Sequence, residues 1–198
     1  RAGSANPYFS VAAAAELSIA GLIEASGSFG FARSVDTASG LTKLMIGAAN
    51  VRGTAGDGQY SLSSGSLGLV LFSDTASGVS RGYALDGAIL GRMTNDTFGA
   101  QATVRIRRNT ASFAVDEKVP VYTDTVPVVF STEETATASR SQYSSISLEA
   151  AEIKIGSITI KGTYKSEPVG SRGESVTTIT DAILIFGDPE LLRITASK

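Results

Sequence analysis

The amino-acid sequence, 198 residues long, contains no cysteine, no histidine and no tryptophan. Without cysteine there is no disulfide, so stability must come from burial of apolar side chains and from backbone hydrogen bonds. Without histidine or cysteine, the common structural zinc sites, histidine-ligated haem and a Ser-His-Asp triad are excluded. The sequence therefore says more about architecture than about chemistry.

Charge is also scarce. Charged residues make up 18% of the chain and the formal net charge is −2, which argues against a binder of nucleic-acid phosphates. No apolar run reaches the roughly 18 to 20 residues that a membrane-spanning helix needs, so we predict no membrane span. With 42% hydrophobic residues and 21 glycines, the composition is typical of a globular β protein.

The segment Ala14–Phe31 returns later in the chain as Ala150–Lys165. Its opening AAELSI becomes AAEIKI, and the glycine and aromatic positions that follow agree. A repeat at a domain-sized distance indicates one complete unit followed by the opening of a second. We therefore predict a linker or the tail of a preceding unit over residues 1–13, a complete β unit over 14–149 and a truncated second unit over 150–198.

Apolar residues alternate with small or polar ones from Leu17 to Phe31, which predicts a long, half-buried strand with a bend at Gly21 or Gly27. The second copy lacks one residue that the first copy has. Its apolar residues therefore change from odd numbers (Ile153, Ile155) to even numbers (Ile158, Ile160, Tyr164). A one-residue slip would turn the whole apolar face outward. We therefore predict a β-bulge or bend near Gly21 in one copy or near Gly156 in the other.

The pentapeptide DTASG occurs twice, at Asp36–Gly40 and Asp74–Gly78. Asp bonds back to its own backbone and Gly permits positive φ, so both are predicted to be hairpin loops at sheet ends. The runs Leu41–Val51 and Leu67–Phe72 are apolar on both faces, which predicts strands covered on both sides by sheet-on-sheet packing. Gly82–Met93 alternates cleanly and reads as a further strand.

Two segments near the end of the first unit differ from these strands. Val119–Phe130 contains two prolines, which favours an edge strand or an irregular crossing. Ser131–Ser145 has no hydrophobic period and is predicted to be a long mobile loop.

The second unit also echoes later parts of the first. Leu184–Gly187 resembles Leu44–Gly47, and Leu192–Ala196 resembles Val51–Ala55. Together these patterns predict an all-β, mostly antiparallel, elongated fold built from tandem repeat units, either as β-sandwiches or as a solenoid-like continuous sheet.

Four segments of the first unit are similar to a known type of sequence: Ser18–Phe31, Ser66–Leu71, Gly82–Leu85 and Ala102–Arg107. They resemble the repeat unit of very large exported bacterial cell-surface proteins of adhesin or surface-layer type. The resemblance implies an extracellular or cell-surface location and a structural role in a surface layer, adhesin or filament, with neighbouring copies or adjacent repeats as partners. It brings no catalytic residue and no cofactor, so we expect a protein that is not an enzyme.

Two motifs nominally suggest catalysis. Gly78–Gly82 fits the G-x-S-x-G pattern of a nucleophile elbow, but the chain has no histidine to act as base, so a glycine-rich hairpin is the better interpretation. The acid pairs Asp116-Glu117 and Glu133-Glu134 could supply the two carboxylates of a glycosidase, although adjacent acids in polar segments are usually solvated.

Calcium binding is the main alternative to a purely structural role. Hard cations take oxygen ligands from loop acids, and the candidates are Asp36, Asp57, Asp74, Asp86 and Asp96. No EF-hand or nonapeptide calcium repeat is present, and Asx-turns at hairpin ends explain the same residues. The alternative function is thus an extracellular calcium- or glycan-binding β module.

The glycan version of that alternative rests on arginines. Arg105, Arg107 and Arg108 could form a basic patch for acidic glycans. The alternation of Ala102, Val104 and Ile106 with polar residues also fits a solvated strand face.

Overall fold

The computed structural model describes residues 8–19, 23–55, 59–95, 97–138, 140–169, 174–187 and 189–196. Within these ranges the chain forms β-strands and one 3₁₀ turn, Thr132–Glu134, with no α-helix. The strands are β1 (Tyr8–Ile19), β2 (Ile23–Asp36), β3 (Leu41–Ala55), β4 (Tyr60–Asp74), β5 (Ser80–Thr94), β6 (Phe98–Asn109), β7 (Val115–Pro120), β8 (Thr125–Phe130), β9 (Tyr143–Ile155), β10 (Ile158–Val169), β11 (Glu174–Phe186) and β12 (Leu192–Ala196).

Ten strands form one antiparallel sheet in the order β1-β2-β3-β4-β5-β6-β9-β10-β11-β12. Each strand therefore pairs with its neighbour in sequence, except that the separate hairpin β7–β8 is inserted between β6 and β9. The predicted all-β, mostly antiparallel class is confirmed. The predicted boundary between residues 149 and 150 lies inside β9, so both proposed units contribute to the same sheet; the division into repeats stays a prediction.

The two copies of the repeated segment are hairpins, so the prediction of one long strand is wrong. Ala14–Phe31 forms the end of β1 and the start of β2, which close at the pair Ile19–Ile23. Its second copy joins β9 to β10 and closes at the corresponding pair Ile155–Ile158. Three residues separate Ile19 from Ile23 and two separate Ile155 from Ile158, and this difference explains the parity change without a bulge at Gly156 (Gly21 lies outside the described residues). Gly156 has φ +57°, which suits a two-residue turn.

Bulges occur elsewhere, each where one strand carries an extra residue relative to its partner. Those in β3, β4, β9 and β11 coincide with non-glycine residues of positive φ: Asn50, Ser64, Ala150 and Asp181. Each extra residue reverses the side-chain alternation of its strand. Because the sequence changes parity at the same points, the side chains of the outer apolar face stay on one side of the sheet along the full strands.

The other, polar face carries the hairpin β7–β8. Gly30, Gly47 and Gly68 lie side by side on β2, β3 and β4, and we call them the glycine row. A methyl group on Gly47 would approach Val121 Cγ1 to 2.7 Å, and one on Gly30 would overlap the backbone of Pro120. The absence of side chains in the row therefore lets the hairpin approach closely, through its backbone at Gly30 and through valine side chains at Gly47 and Gly68.

The hydrophobic core lies between the hairpin and this part of the sheet. The sheet contributes Ala32, Met45, Val70 and Phe72, among others, and the hairpin fills the space above them. The buried hairpin side chains are Val115, Val119, Val121, Val126, Val128 and Phe130. Val119–Phe130 thus contains the end of β7, the connecting turn and β8, and Pro120 and Pro127 are tolerated because each strand has only one neighbour.

The opposite, apolar face has no cover among the described residues, so the prediction of sheet packing on both sides is wrong. Most of the exposed large apolar side chains lie there. By register, the apolar face comprises Phe9, Val11, Phe29, Phe31, Ile46, Tyr60, Leu62, Leu67, Leu71, Ile106, Ile146, Ile153, Ile155, Ile160, Tyr164, Ile179, Leu192 and Ile194.

Two further predictions need correction. Much of Ser131–Ser145 is structured: it holds the 3₁₀ turn with its capping box, a bridge between Thr137 and Arg140, and the first residues of β9.

The sequence similarities late in the second copy do not correspond to equivalent positions in the fold. Leu184–Gly187 lies after the bulge of β11, whereas Leu44–Gly47 lies before the bulge of β3.

Candidate functional site: a charged cluster beside the hairpin

A cluster of charged side chains lies on the polar face, just beyond the glycine row. The register of β5 and β6 places Asp86 opposite Arg107, with Arg105 two residues away on the same face. Arg105 donates from Nε to Asp86 Oδ1 at 3.0 Å and from Nη2 to Oδ2 at 2.8 Å, and Arg107 Nε donates to Oδ2 at 3.2 Å. Asp86 is only 7% exposed. Both of its oxygens accept hydrogen bonds from guanidinium groups, so neither is buried without a partner.

Arg107 connects the sheet to the end of the hairpin. It forms an ion pair with Glu134 of the 3₁₀ turn and donates to the carbonyl oxygen of Val129 at 2.6 Å. Its guanidinium carbon lies 4.5 Å from the centroid of the Phe130 ring, a cation–π distance. Partial burial alone would raise the pKa of Glu134, but the bonds from Arg107 and from the Ser131 backbone outweigh it and the pKa lies below its ordinary value.

Tyr143 extends the cluster to β10. Its hydroxyl donates to Glu167 Oε1 at 2.8 Å, and Lys165 Nζ lies 2.8 Å from the same oxygen. Burial raises the pKa of Tyr143 to about 12, and the neighbouring carboxylate of Glu167 acts in the same direction. Tyr143 therefore stays neutral and keeps donating up to high pH.

Two cavities border the cluster. One of about 490 Å³ lies between β8 and the sheet and is lined by Asp86, Arg107, Asp116 and Glu134, among others. The second, of about 310 Å³, is lined by Arg105, Arg107, Ser145, Ser147, Glu149, Thr163 and Lys165. Both could admit polar groups. Each cation of the cluster already has a carboxylate partner, so the arrangement serves first to fasten the hairpin to β5, β6 and β9.

The predicted calcium ligands do not converge. Asp36 Oδ1 accepts from the amides of Ala38 at 3.0 Å and Ser39 at 3.3 Å, and Asp74 Oδ1 accepts in the same way at 3.1 and 2.9 Å from Ala76 and Ser77. These are Asx-turns, so the hairpin-loop prediction is confirmed.

The bonds of these turns also set the acidity of the two aspartates. The hydroxyl and amide of Ser39 lower the pKa of Asp36, and the amide and hydroxyl of Ser77 lower that of Asp74. Asp86 belongs to the charged cluster, whereas Asp57 and Asp96 lie outside the described residues. In the part of the chain that the structure describes, no three His, Cys, Asp or Glu residues are grouped as metal ligands.

The nominal catalytic motifs are dispersed. Ser80 begins β5 beside an exposed loop, and its hydroxyl accepts the amide of Gly82. Within the acid pairs, Glu117 bonds Lys43 Nζ at 2.6 Å while Asp116 is exposed, and Glu134 bonds Arg107 while Glu133 is exposed.

The predicted arginine patch is divided between the two faces of the sheet. Arg105 and Arg107 are ion-paired on the polar face, while Arg108 lies on the apolar face, 5.7 Å from the ring of Tyr83. The alternation of β6 is confirmed, and on its polar side both arginines bond carboxylates of other elements, with the Arg105 side chain 41% exposed and that of Arg107 18% exposed.

Sequence reasoning missed Glu134, Tyr143, Lys165 and Glu167 as members of the cluster. They come from a loop and from strands distant in sequence, and no local pattern links them to Arg107. The one available signal was the spacing of Arg105 and Arg107, which places two cations on the same face of a strand. Cations that become partly buried there are stabilised by acidic side chains of other elements.

Comparison with known proteins found no match to any family model, curated protein or solved structure. Among the described residues there is no helix of the length and apolarity needed to cross a membrane.

Tyr143 gives a pH prediction. The folded pKa of about 12 lies above the ordinary value near 10, so the stability that this group contributes is full below pH 10 and is lost as the pH rises towards 12. We expect the free energy of unfolding, measured by urea titration between pH 8 and 11.5, to fall more steeply above pH 10 in the natural protein than in Tyr143→Phe. Parallel curves for the two proteins would contradict this assignment.

Proposed function

We propose that this chain is a structural segment of an exported bacterial surface, adhesin or filament protein, and that its sheet grows by addition of strands at its outer edges. The observation that supports this most is the open ten-stranded sheet. Each sheet strand except the first and last has a neighbour on both sides, and β12 covers only Ala182–Phe186 of β11.

The outer strands suit such growth. All residues of β12 are exposed, and the Glu174–Asp181 part of β11 has no partner on its outer side within the described ranges. An unpaired edge presents rows of backbone donors and acceptors to another chain or repeat. β1 offers the complementary edge at the other end of the sheet, so contacts between copies would be head-to-tail and open-ended.

The two equivalent hairpins support the same proposal. β1–β2 and β9–β10 have related sequences, close on corresponding isoleucine pairs and lie in one continuous sheet. An adjacent repeat could continue the sheet without a change in strand order. The proposal assigns no metal and no catalytic residue, because the charged cluster is engaged in fastening the hairpin.

Lysines in both outer strands test the proposal. We expect the natural chain to form open-ended oligomers whose size rises with concentration, and the double variant Ser10→Lys, Thr195→Lys to weaken this association at least about tenfold. Both residues are exposed and lie on the polar face of the outer strands. Sedimentation velocity over a concentration series gives the size distribution.

The matched control is Ala38→Lys, Ala76→Lys, which adds the same charge in the twin exposed turns, away from both edges. It should associate like the natural chain. Absence of open-ended growth in the natural chain, or equal growth in both double variants, would refute strand addition.

A further inference from the structure

The apolar face is too large to be an ordinary exposed surface. It runs over seven neighbouring strands, β2 to β6, β9 and β10, so with about 4.8 Å between strands and about ten residues of 3.3 Å along each it covers roughly 1,000 Å². The largest exposed apolar patch of a monomer is about 300 to 600 Å². A face of this size fits the roughly 800 Å² that each partner contributes to a stable interface.

The residues at the centre of the face are accessible and apolar. Ile106 on β6 is 45% exposed, and its cross-strand neighbour Ile146 on β9 is 48% exposed. The register partner of Ile106 on β5 is Gly87, and Ile146 lies opposite Ser166 on β10. The centre therefore offers mostly apolar or small side chains that interdigitate with another apolar sheet about 10 Å away, with one serine hydroxyl beside them.

Charge is confined to one end of the face. Among the described side chains of the face, the charged ones are Arg33 and Arg108, both near the end of the sheet that carries the turns Asp36–Gly40 and Asp74–Gly78. If two copies stack about a two-fold axis that lies between the sheets and perpendicular to the strands, their arginine ends point in opposite directions. The apolar centres then meet without like charges in contact.

We propose that this face packs against the same face of a second copy of the chain, so that two sheets form one layer with an apolar interior and a polar face, with its hairpin, on each outer side. This surface is separate from the strand edges, so the pairing is independent of strand addition. A lipid surface is the less favoured occupant, because interfacial binding usually combines an apolar face with many cations around it, and this face has only two.

Substitutions at the centre of the face test the proposal in the full chain. We expect the edge variant Ser10→Lys, Thr195→Lys to remain a dimer, and Ile106→Lys or Ile146→Lys added to it to raise the dimer dissociation constant at least about a hundredfold. Val79→Lys in the same background is the control, because Val79 is 62% exposed in a loop away from the face and should leave the dimer intact. Sedimentation equilibrium measures the constants, and circular dichroism checks that each variant keeps its sheet.

Thiol accessibility provides a second readout that does not depend on a charged variant folding. The chain has no cysteine, so Ile106→Cys and Val79→Cys each carry a single thiol. We expect maleimide labelling of Ile106→Cys to slow as protein concentration rises through the dimer range, and labelling of Val79→Cys to stay constant.

Three results would overturn the proposal: an edge variant that stays monomeric at all concentrations, dimerisation unaffected by lysine at position 106 or 146, or labelling of Ile106→Cys independent of concentration. Flotation with phosphatidylcholine vesicles identifies the other occupant. Binding of a monomer to these vesicles that Ile106→Lys abolishes would assign the face to lipid and also overturn the pairing of copies.

Discussion

Replacement of Gly30 by alanine is expected to lower the free energy of unfolding by about 3 kcal/mol, as overpacking against fixed backbone does. The added methyl group would overlap the carbonyl oxygen of Pro120 and lie 2.8 Å from Val121 Cα. These are backbone atoms of the hairpin, so no side-chain rotation can relieve the overlap. The hairpin must shift away from the sheet, and the core between them loosens. Urea titration followed by circular dichroism measures the loss.

Gly99→Ala is the matched control, since Gly99 is also a strand glycine. A methyl group there would meet only Lys154 Cβ at an ordinary 3.8 Å, so we expect a change within about 0.5 kcal/mol. Equal stability of both variants would show that the hairpin does not pack on the glycine row in solution.

Truncation of Phe130 to alanine is expected to cost about 4 kcal/mol, within the range for large buried aromatic residues. Phe130 is 1% exposed and is the largest of the fully buried side chains in the described residues. Its ring packs edge-on against Tyr143 at 6.0 Å between centroids and lies beneath the Arg107 guanidinium. The substitution therefore removes a core side chain and the apolar support of the charged cluster together.

The neighbouring residue offers a control on the same strand. Val129 points away from the core and is 49% exposed, so Val129→Ala should change stability by less than about 0.5 kcal/mol. If the two substitutions had similar effects on the unfolding midpoint, β8 would not hold the burial pattern described, and the hairpin would not be a fixed part of the fold.

The two faces of the sheet differ in what packs against them. The polar face accepts the hairpin through glycines and then fastens it through Arg107, Asp86 and Glu134. The apolar face keeps large side chains outward along every strand, and the bulges preserve this arrangement where the strand parity changes. The hairpin thus covers the polar face over β2 to β5, whereas the apolar face has no cover among the described residues.

Local patterns predicted much of the strand content correctly. The DTASG turns at Asp36 and Asp74 form as expected because Asx side chains and glycine determine such turns within a few residues. The alternation of Ala102–Arg108 also predicts β6, since period two is a property of one strand alone. Repetition of AAELSI as AAEIKI indicates two related segments, but the alternation alone predicts a bend in a single strand where the fold has a hairpin.

By itself the sequence determined the all-β class, the turns that end the strands and the exclusion of histidine- and cysteine-dependent chemistry, because these depend on residue type and on short-range geometry. Only the tertiary structure decided which face of the sheet is covered, where Val119–Phe130 packs and which acids pair with Arg105 and Arg107. These features join β5, β6, the 3₁₀ turn and the hairpin across long separations in the chain. Long-range contacts of this kind depend on how side chains fill the interior and on which charges become buried in the folded chain. Neither property can be predicted from a short segment of the sequence.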